Sequence, residues 1–211
     1  MKIWRAMVGL IQTNCYLVAD DQKVGCVIDP GGDAERVARI AKDEGLTITH
    51  ILLTHGHPDH LGGAAELVAL TGAILACAPE VAPMLRDPDE YASFPEFLGT
   101  PKGEPNLLLH EGDVVKVGDL EVKVWETPGH SPGDLTFDIG GSLFCGDLIF
   151  YRSIGRTDLR GGDYDRLLSS IQKLVDHYPP EAPVLPGHMQ TTTLGSELQA
   201  NPFMRGMKPR G

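Results

Sequence analysis

No two cysteines in the 211-residue chain have the C-x-x-C spacing, and the four present, Cys15, Cys26, Cys77 and Cys145, lie far apart. Neither a zinc ribbon nor a disulfide framework is suggested, and buried, reduced thiols are expected. No apolar run reaches the roughly 18–20 residues of a membrane span. The opening stretch MKIWRAMVGLIQTN has no unbroken apolar core ahead of a cleavage site. The expected compartment is the cytoplasm, with no membrane partner. Basic residues are scarce: 18 Lys and Arg against 29 Asp and Glu leave a net charge of −11. Nothing forms the basic stripe that a phosphate backbone needs, which excludes nucleic acid as a partner. There is no Gly/Ser linker and no fixed-period repeat. With 42% apolar residues the chain can build a core, so residues 1–211 are expected to form one domain.

The segments MKIWRAMVG, NCYLVAD and KVGCVIDP read as short strands, each ending in a turn signal. DAERVARIAKDEG predicts a helix with Asp33 as N-cap, Val37, Ile40 and Ala41 on one face, and Gly45 just past its end. ITHILLT is a buried strand running into THGHPDHLGG, and GAAELVALTG is the helix that follows. Residues 79–105 are rich in Pro, Asp, Glu and Gly, which predicts a long surface excursion with a short helix at most, either a lid or an insertion. Strands resume at NLLLH, DVVKV, LEVKVWET, DLTFDI and SLFCG, followed by a helix at YDRLLSSIQKLV and a last strand at APVLPG. Strand-rich blocks broken by helices in both halves indicate a mixed α/β sandwich.

The pattern H-x-H-x-D-H at residues 55–60 is too dense in ligand-type side chains to be an ordinary solvated turn. Imidazole is the favoured ligand of zinc-class metals, and His55 and His57, alternating at the end of a strand, can converge on one ion. The chain then turns into a helix and aims Asp59 and His60 at a second point. Two ions need more ligands than this motif holds, and they should lie at other strand ends. His130 in ETPGHSPGD, Asp147 in SLFCGD and His188 in VLPGH fit that grammar. His50, inside a strand, His110, before an acidic turn, and His177, late in a helix where a cation complements the dipole, read as structural.

On DPGGD at 29–33, THGHPDH, TPGH, CGD and PGH the chain resembles the metallo-β-lactamase superfamily over nearly its whole length. The resemblance implies a four-layer αββα sandwich with the metal site at one edge between two sheets. It implies one ion on His55, His57 and His130, a second on Asp59, His60 and His188, and Asp147 bridging, with Asp59 and Asp147 catalytic through the ions they hold. Zinc is the favoured metal, and iron or manganese suits the same donors. Asp29 is placed to orient a ligand from behind, and Gly62 and Gly63 let the following helix approach the metal loop.

Two ions roughly 3.5–4 Å apart can share a water of lowered pKa and polarise a carbonyl. A thiolate leaving group departs without a proton, which suits a site with no obvious general acid. FYRSIGRTDLRGGD at 150–163 and TTLGSELQANPF at 192–203 are similar to the short bacterial glyoxalase II branch. That similarity implies hydrolysis of an S-acylglutathione such as S-lactoylglutathione by a metal-bridging hydroxide. Only 23 residues follow His188, too few for the helical C-terminal domain of longer glyoxalases II, and Met189-Gln190 stands where relatives often have Gly-Pro. Tyr151, Arg152, Arg156 and Arg160 are candidates for meeting an anionic substrate; alternatively, Arg156 pairs with Asp158 or Asp163 to hold the loop. Two rival activities share the resemblance. One is a glutathione persulfide (sulfur) dioxygenase with a single iron and the same G-R-T-D segment; the other is a metallo-hydrolase of another small thioester or a lactone.

Overall fold

The computed structural model describes residues 1–210. Its first half forms a six-stranded sheet from β1 (Lys2–Val8), β2 (Thr13–Ala19), β3 (Val24–Ile28), β4 (Thr47–Leu52), β5 (Ile74–Cys77) and β6 (Leu107–Leu108), in that spatial order. β1 to β3 pair antiparallel and β3 to β6 parallel. The parallel strands are reached through helices: α1 (Ala34–Glu44), then α2 (Pro58–Leu61) and α3 (Ala64–Thr71), then the short α4 (Ala82–Arg86) and α5 (Pro88–Tyr91). The second sheet runs β14-β13-β10-β9-β8-β7, from β7 (Val114–Val117), β8 (Leu120–Glu126), β9 (Leu135–Ile139), β10 (Ser142–Gly146), β13 (Pro183–Pro186) and β14 (Thr192–Thr193). A small hairpin, β11 (Ile149–Phe150) with β12 (Ser153–Ile154), leaves the end of β10, and α6 (Tyr164–His177) and α7 (Leu194–Ala200) complete the chain.

The two mixed sheets face one another with helices outside them, the layering of the metallo-β-lactamase fold. β2, β9 and β10 are buried on both faces because each face is covered. Between the sheets Phe137 and Phe144 are fully buried, and Phe144 meets Tyr16 edge-on at 5.3 Å. Each such ring contributes about 2–3 kcal/mol by removal from water. α6 buries Leu167, Ile171, Leu174 and Val175 against Leu143 and Val184 of the second sheet. The four cysteines are buried and unpaired, and burial pushes the thiols of Cys26, Cys77 and Cys145 up to about 12. Among the described residues no helix is long and apolar enough to cross a membrane.

Two local expectations are revised. Asp33 precedes α1 but does not cap it: its φ is 51° and its carboxylate accepts from Gly9 N instead, at 3.1 Å. Residues 79–105 hold several short helices, and Val81, Met84 and Leu85 are buried, so the first part of this excursion belongs to the packed interior. The tail after residue 193 forms α7, whose Glu197 is fully buried.

Candidate metal centre

Parallel pairing collects the ligands at one edge. β10 lies parallel to β13 with Gly146 opposite Pro186, and Gly187 N donates to Gly146 O at 2.8 Å, so Asp147 and His188 emerge side by side. Leu135 N donates to Thr54 O and Asn14 N to Gly187 O, both at 2.7 Å, tying the first sheet's edge to the second's. Pro58 starts α2 immediately after His57. The chain therefore changes direction between His57 and Asp59. Contacts this close require glycine: a Cβ on Gly31 would stand 1.4 Å from Asp59 O, and one on Gly187 would stand 2.4 Å from both Asp147 Oδ1 and His60 Cε1.

All seven predicted ligands converge. His55 Nε2 and His130 Nε2 lie 3.2 and 2.8 Å from His57 Nδ1. Asp59 Oδ2 lies 3.3 Å from His60 Nε2 and 3.1 Å from His188 Nε2. Asp147 spans the two groups, with Oδ1 at 3.3 Å from His60 Nε2 and Oδ2 at 3.6 and 3.7 Å from His130 and His188 Nε2. His55, His57 and His130 form one three-donor group of metal-binding dimensions, and Asp59, His60 and His188 another.

The backs of the rings show what their fronts are for. His130 Nδ1 is 2.8 Å from Arg156 O and must donate to it; His60 Nδ1 is 2.8 Å from Asp29 Oδ2 and does the same. Thr54 Oγ1 donates to Asp29 Oδ2 at 2.6 Å and so accepts from His55 Nδ1 at 3.1 Å. With Nδ1 protonated, all three rings present an Nε2 lone pair inward. A single proton on His57 Nδ1 can satisfy only one of the two lone pairs facing it, whereas a cation satisfies all of them. His60 Nε2 and Asp147 Oδ1 are buried without a hydrogen-bond partner, a costly arrangement unless an ion completes it. The residues fit a pair of divalent metals.

The charges agree. Burial, then neighbouring imidazoles, lower the pKa of His57 to about 4 and that of His55 well below the usual histidine range, so both are neutral ligands at pH 7. For His60 burial opposes protonation, but the carboxylates of Asp59, Asp147 and Asp29 outweigh it and hold its pKa well above ordinary. Without metal, that ring takes up a proton in the cation's place. Asp134, whose pKa burial pushes up to about 6, accepts from Gly129 N and from the amide and hydroxyl of Ser131, and so shapes the turn that carries His130.

The metal groups open into a pocket of about 760 Å³, with Leu10, Ile11, Phe94, Phe97, Phe150 and Leu159 among its walls. The arginine candidates are placed differently from one another. Arg156 lines the pocket but forks onto Asp158 at 2.7 and 2.8 Å. Arg152 turns away onto Glu197 Oε1 and Ser196 O, both at 2.8 Å, with Tyr151 stacked on it. Arg160 lies over the Tyr91 ring. His50, His110 and His177 stand outside the ligand groups. Sequence reasoning missed Thr13, whose hydroxyl donates to Asp59 Oδ2 at 3.0 Å. It also missed Asn14 and Tyr16, which donate to Pro186 O at 2.9 and 2.8 Å and hold the turn carrying His188. Their only signal was a polar T-N pair opening an otherwise apolar strand.

The chain is similar to proteins of known description. Hydroxyacylglutathione hydrolase GloC of Haemophilus influenzae is 34% identical over 206 residues, covering 93% of this chain and 95% of that one. The BLEG-1 B3 metallo-beta-lactamase superposes with a TM-score of 0.92 at 36% identity, over 97% of this chain and all of the other. TTHA1623, solved in a di-iron-bound form, does so at 0.82 and 36%, over 95% and 99%. A model of the metallo-beta-lactamase superfamily matches residues 8–188. Matched over more than nine-tenths of its length by these relatives, and with two His/Asp groups of metal-binding dimensions, the chain belongs to the metallo-beta-lactamase superfamily and is a metal-dependent hydrolase within it.

Proposed function

We propose that the protein is a thioesterase of glyoxalase II type, cleaving an S-acylglutathione such as S-lactoylglutathione in the cytoplasm, with two divalent metals, zinc first and iron or manganese as alternatives. The observation that carries this reading is a site with two ligand groups straddled by Asp147 that opens into a largely apolar pocket poor in proton donors. Bound there, two divalent ions supply Lewis acidity toward a carbonyl oxygen and lower the pKa of a coordinated water to about 7. The chain's own residues do the rest. Asp59, fixed by Thr13, and Asp147 hold the two positions in register. Phe94, Phe97 and Leu159 form apolar walls against which an acyl chain displaces water. A thiol of pKa about 8.5 leaves as the thiolate. An amine would need a proton, and Glu96, exposed at the rim, is the one lining acid outside the ligand set. This favours a thioester over a β-lactam, the bond named for BLEG-1. The similarity to GloC points to glutathione as carrier.

The test loads the protein with Zn, Fe or Mn, counts metal per chain, and assays S-lactoylglutathione, a β-lactam and glutathione persulfide in parallel. About two ions per chain with thioester turnover, lost in folded Asp59→Ala and Asp147→Ala, is the expected result. Oxygen uptake with one iron, or lactam opening without thioester cleavage, would overturn the proposal.

A further inference from the structure

The arginines that follow Asp147 already have partners in Glu197, Asp158 and Tyr91. A carrier that bears carboxylates must find its cation elsewhere. Across the His188–Met189 turn from the metal pocket lies a second hollow of about 390 Å³, walled by Arg5, Gln12, Asn14 and Gln190. Ile11, His188 and Met189 border both spaces, so the two meet on the turn that carries the last ligand. Arg5 projects from β1 and is exposed; its one hydrogen bond goes to Met189 O at 3.5 Å, and no ion pair joins it to any carboxylate among the described residues. The rim is built rather than loose. Gln12 and Met189, neither of them glycine, are held in the left-handed region at φ 59° and 67°. Asn14 Nδ2 donates to Pro186 O and Met189 O at 2.9 and 2.8 Å, which fixes that turn. Strained backbone maintained in this way collects where ligands bind.

We propose that Arg5 receives a carboxylate of the thiol carrier, which runs over the His188–Met189 turn while the acyl group enters the apolar pocket. This rests on the thioesterase reading and names the binding group that reading lacks. Arg5 touches the residue next to His188, and two residues of an extended peptide thiol span roughly 7 Å from its sulfur-bearing residue. Charge points the same way, since Glu96 lining the metal pocket repels a carboxylate, whereas a guanidinium without an ion pair forks onto one.

The experiment uses metal-loaded wild type, Arg5→Gln and Arg5→Lys, with folding checked by melting temperature. Calorimetric titration with glutathione and with its diester, which lacks both carboxylates and keeps the ammonium, gives binding apart from turnover. For Arg5→Gln, glutathione binding is expected to weaken about five- to tenfold while diester binding holds, with Arg5→Lys between. In parallel, the kcat/KM ratio of S-lactoylglutathione to the neutral S-lactoyl-N-acetylcysteamine is expected to fall by a similar factor. Equal glutathione affinity in wild type and Arg5→Gln, an equal loss for the diester, or no glutathione binding by wild type overturns the assignment. Binding through Arg5 with neither thioester hydrolysed sustains it and overturns the thioesterase reading instead.

Discussion

Replacing Asp29 with Asn tests whether the tautomers of the metal-binding histidines are set from behind. Asp29 is buried, and its carboxylate accepts from Thr54 N at 2.8 Å, Thr54 Oγ1 at 2.6 Å and His60 Nδ1 at 2.8 Å. Its φ is 50°, a conformation Asn adopts as readily as Asp, so the backbone is not the variable. If the new amide oxygen keeps the Thr54 N–H, its NH₂ faces the Thr54 hydroxyl and His60 Nδ1, both of which donate to the native carboxylate. His60 must then accept at Nδ1 and carry its proton on Nε2. The Thr54 hydroxyl must turn its hydrogen toward His55 Nδ1, with the same consequence for that ring. Each group thus loses one inward lone pair. The opposite amide rotamer sets NH₂ against the Thr54 amide and leaves a buried donor unpaired, at about 1–3 kcal/mol. Losing an outer partner of this kind weakens metal binding about 10–100-fold, or about 1.4–2.8 kcal/mol per site. Competition against a chelator of known affinity measures the loss, and ¹⁵N shifts of the imidazoles in metal-free protein show whether His55 has gained a proton at Nε2 and whether His60, protonated on both nitrogens in metal-free wild type, has lost the one at Nδ1. Wild-type affinity with unchanged tautomers would refute the reasoning.

Arg152→Ala should destabilise the fold by about 2–3 kcal/mol in urea unfolding, because it unpairs the fully buried Glu197, which keeps donors from Thr192, Asn201 and Arg152 N; a changed KM with unchanged stability would place Arg152 at the substrate instead. Gly187→Ala should strip metal and lower activity at least a hundredfold, since its Cβ would displace Asp147 and His60; full metal occupancy would show that the turn yields. Metal-free protein should be most stable near pH 6.5. As pH falls from there toward about 4, unfolded chains protonate His55 and His57 while folded ones do not, Asp134 offsets about one of those two protons below pH 6, and stability drops by about 1.4 kcal/mol per unit. Above 6.5 the raised pKa of His60 reverses the sign, and stability falls as its folded-state proton is lost; urea midpoints that rise steadily through pH 8 would contradict this.

What could be read in the sequence and what could not divide along a physical line. The H-x-H-x-D-H run is local, and its strand-to-helix turn lies within six residues, so chemistry and geometry could be read together. His130, Asp147 and His188 were accessible because each ends an apolar run, and strand ends meet wherever sheets pack. The two sheets were visible as apolar blocks, but α7 was not: seven residues carry too little periodicity, and its buried Glu197 looks like a surface residue in the sequence. The arginines show how nearness in sequence can mislead. Arg152 follows Asp147 by five positions, yet the β11–β12 hairpin reverses the chain and delivers its guanidinium to a residue forty-five positions later. Arg5 lies 183 positions before His188, and only the contact between β1–β2 and the end of β13 puts it beside that turn. Ligands to a metal are confined to a few residue types and announce themselves. A cation for a substrate can come from any strand that reaches the rim, and the fold alone decides which one does.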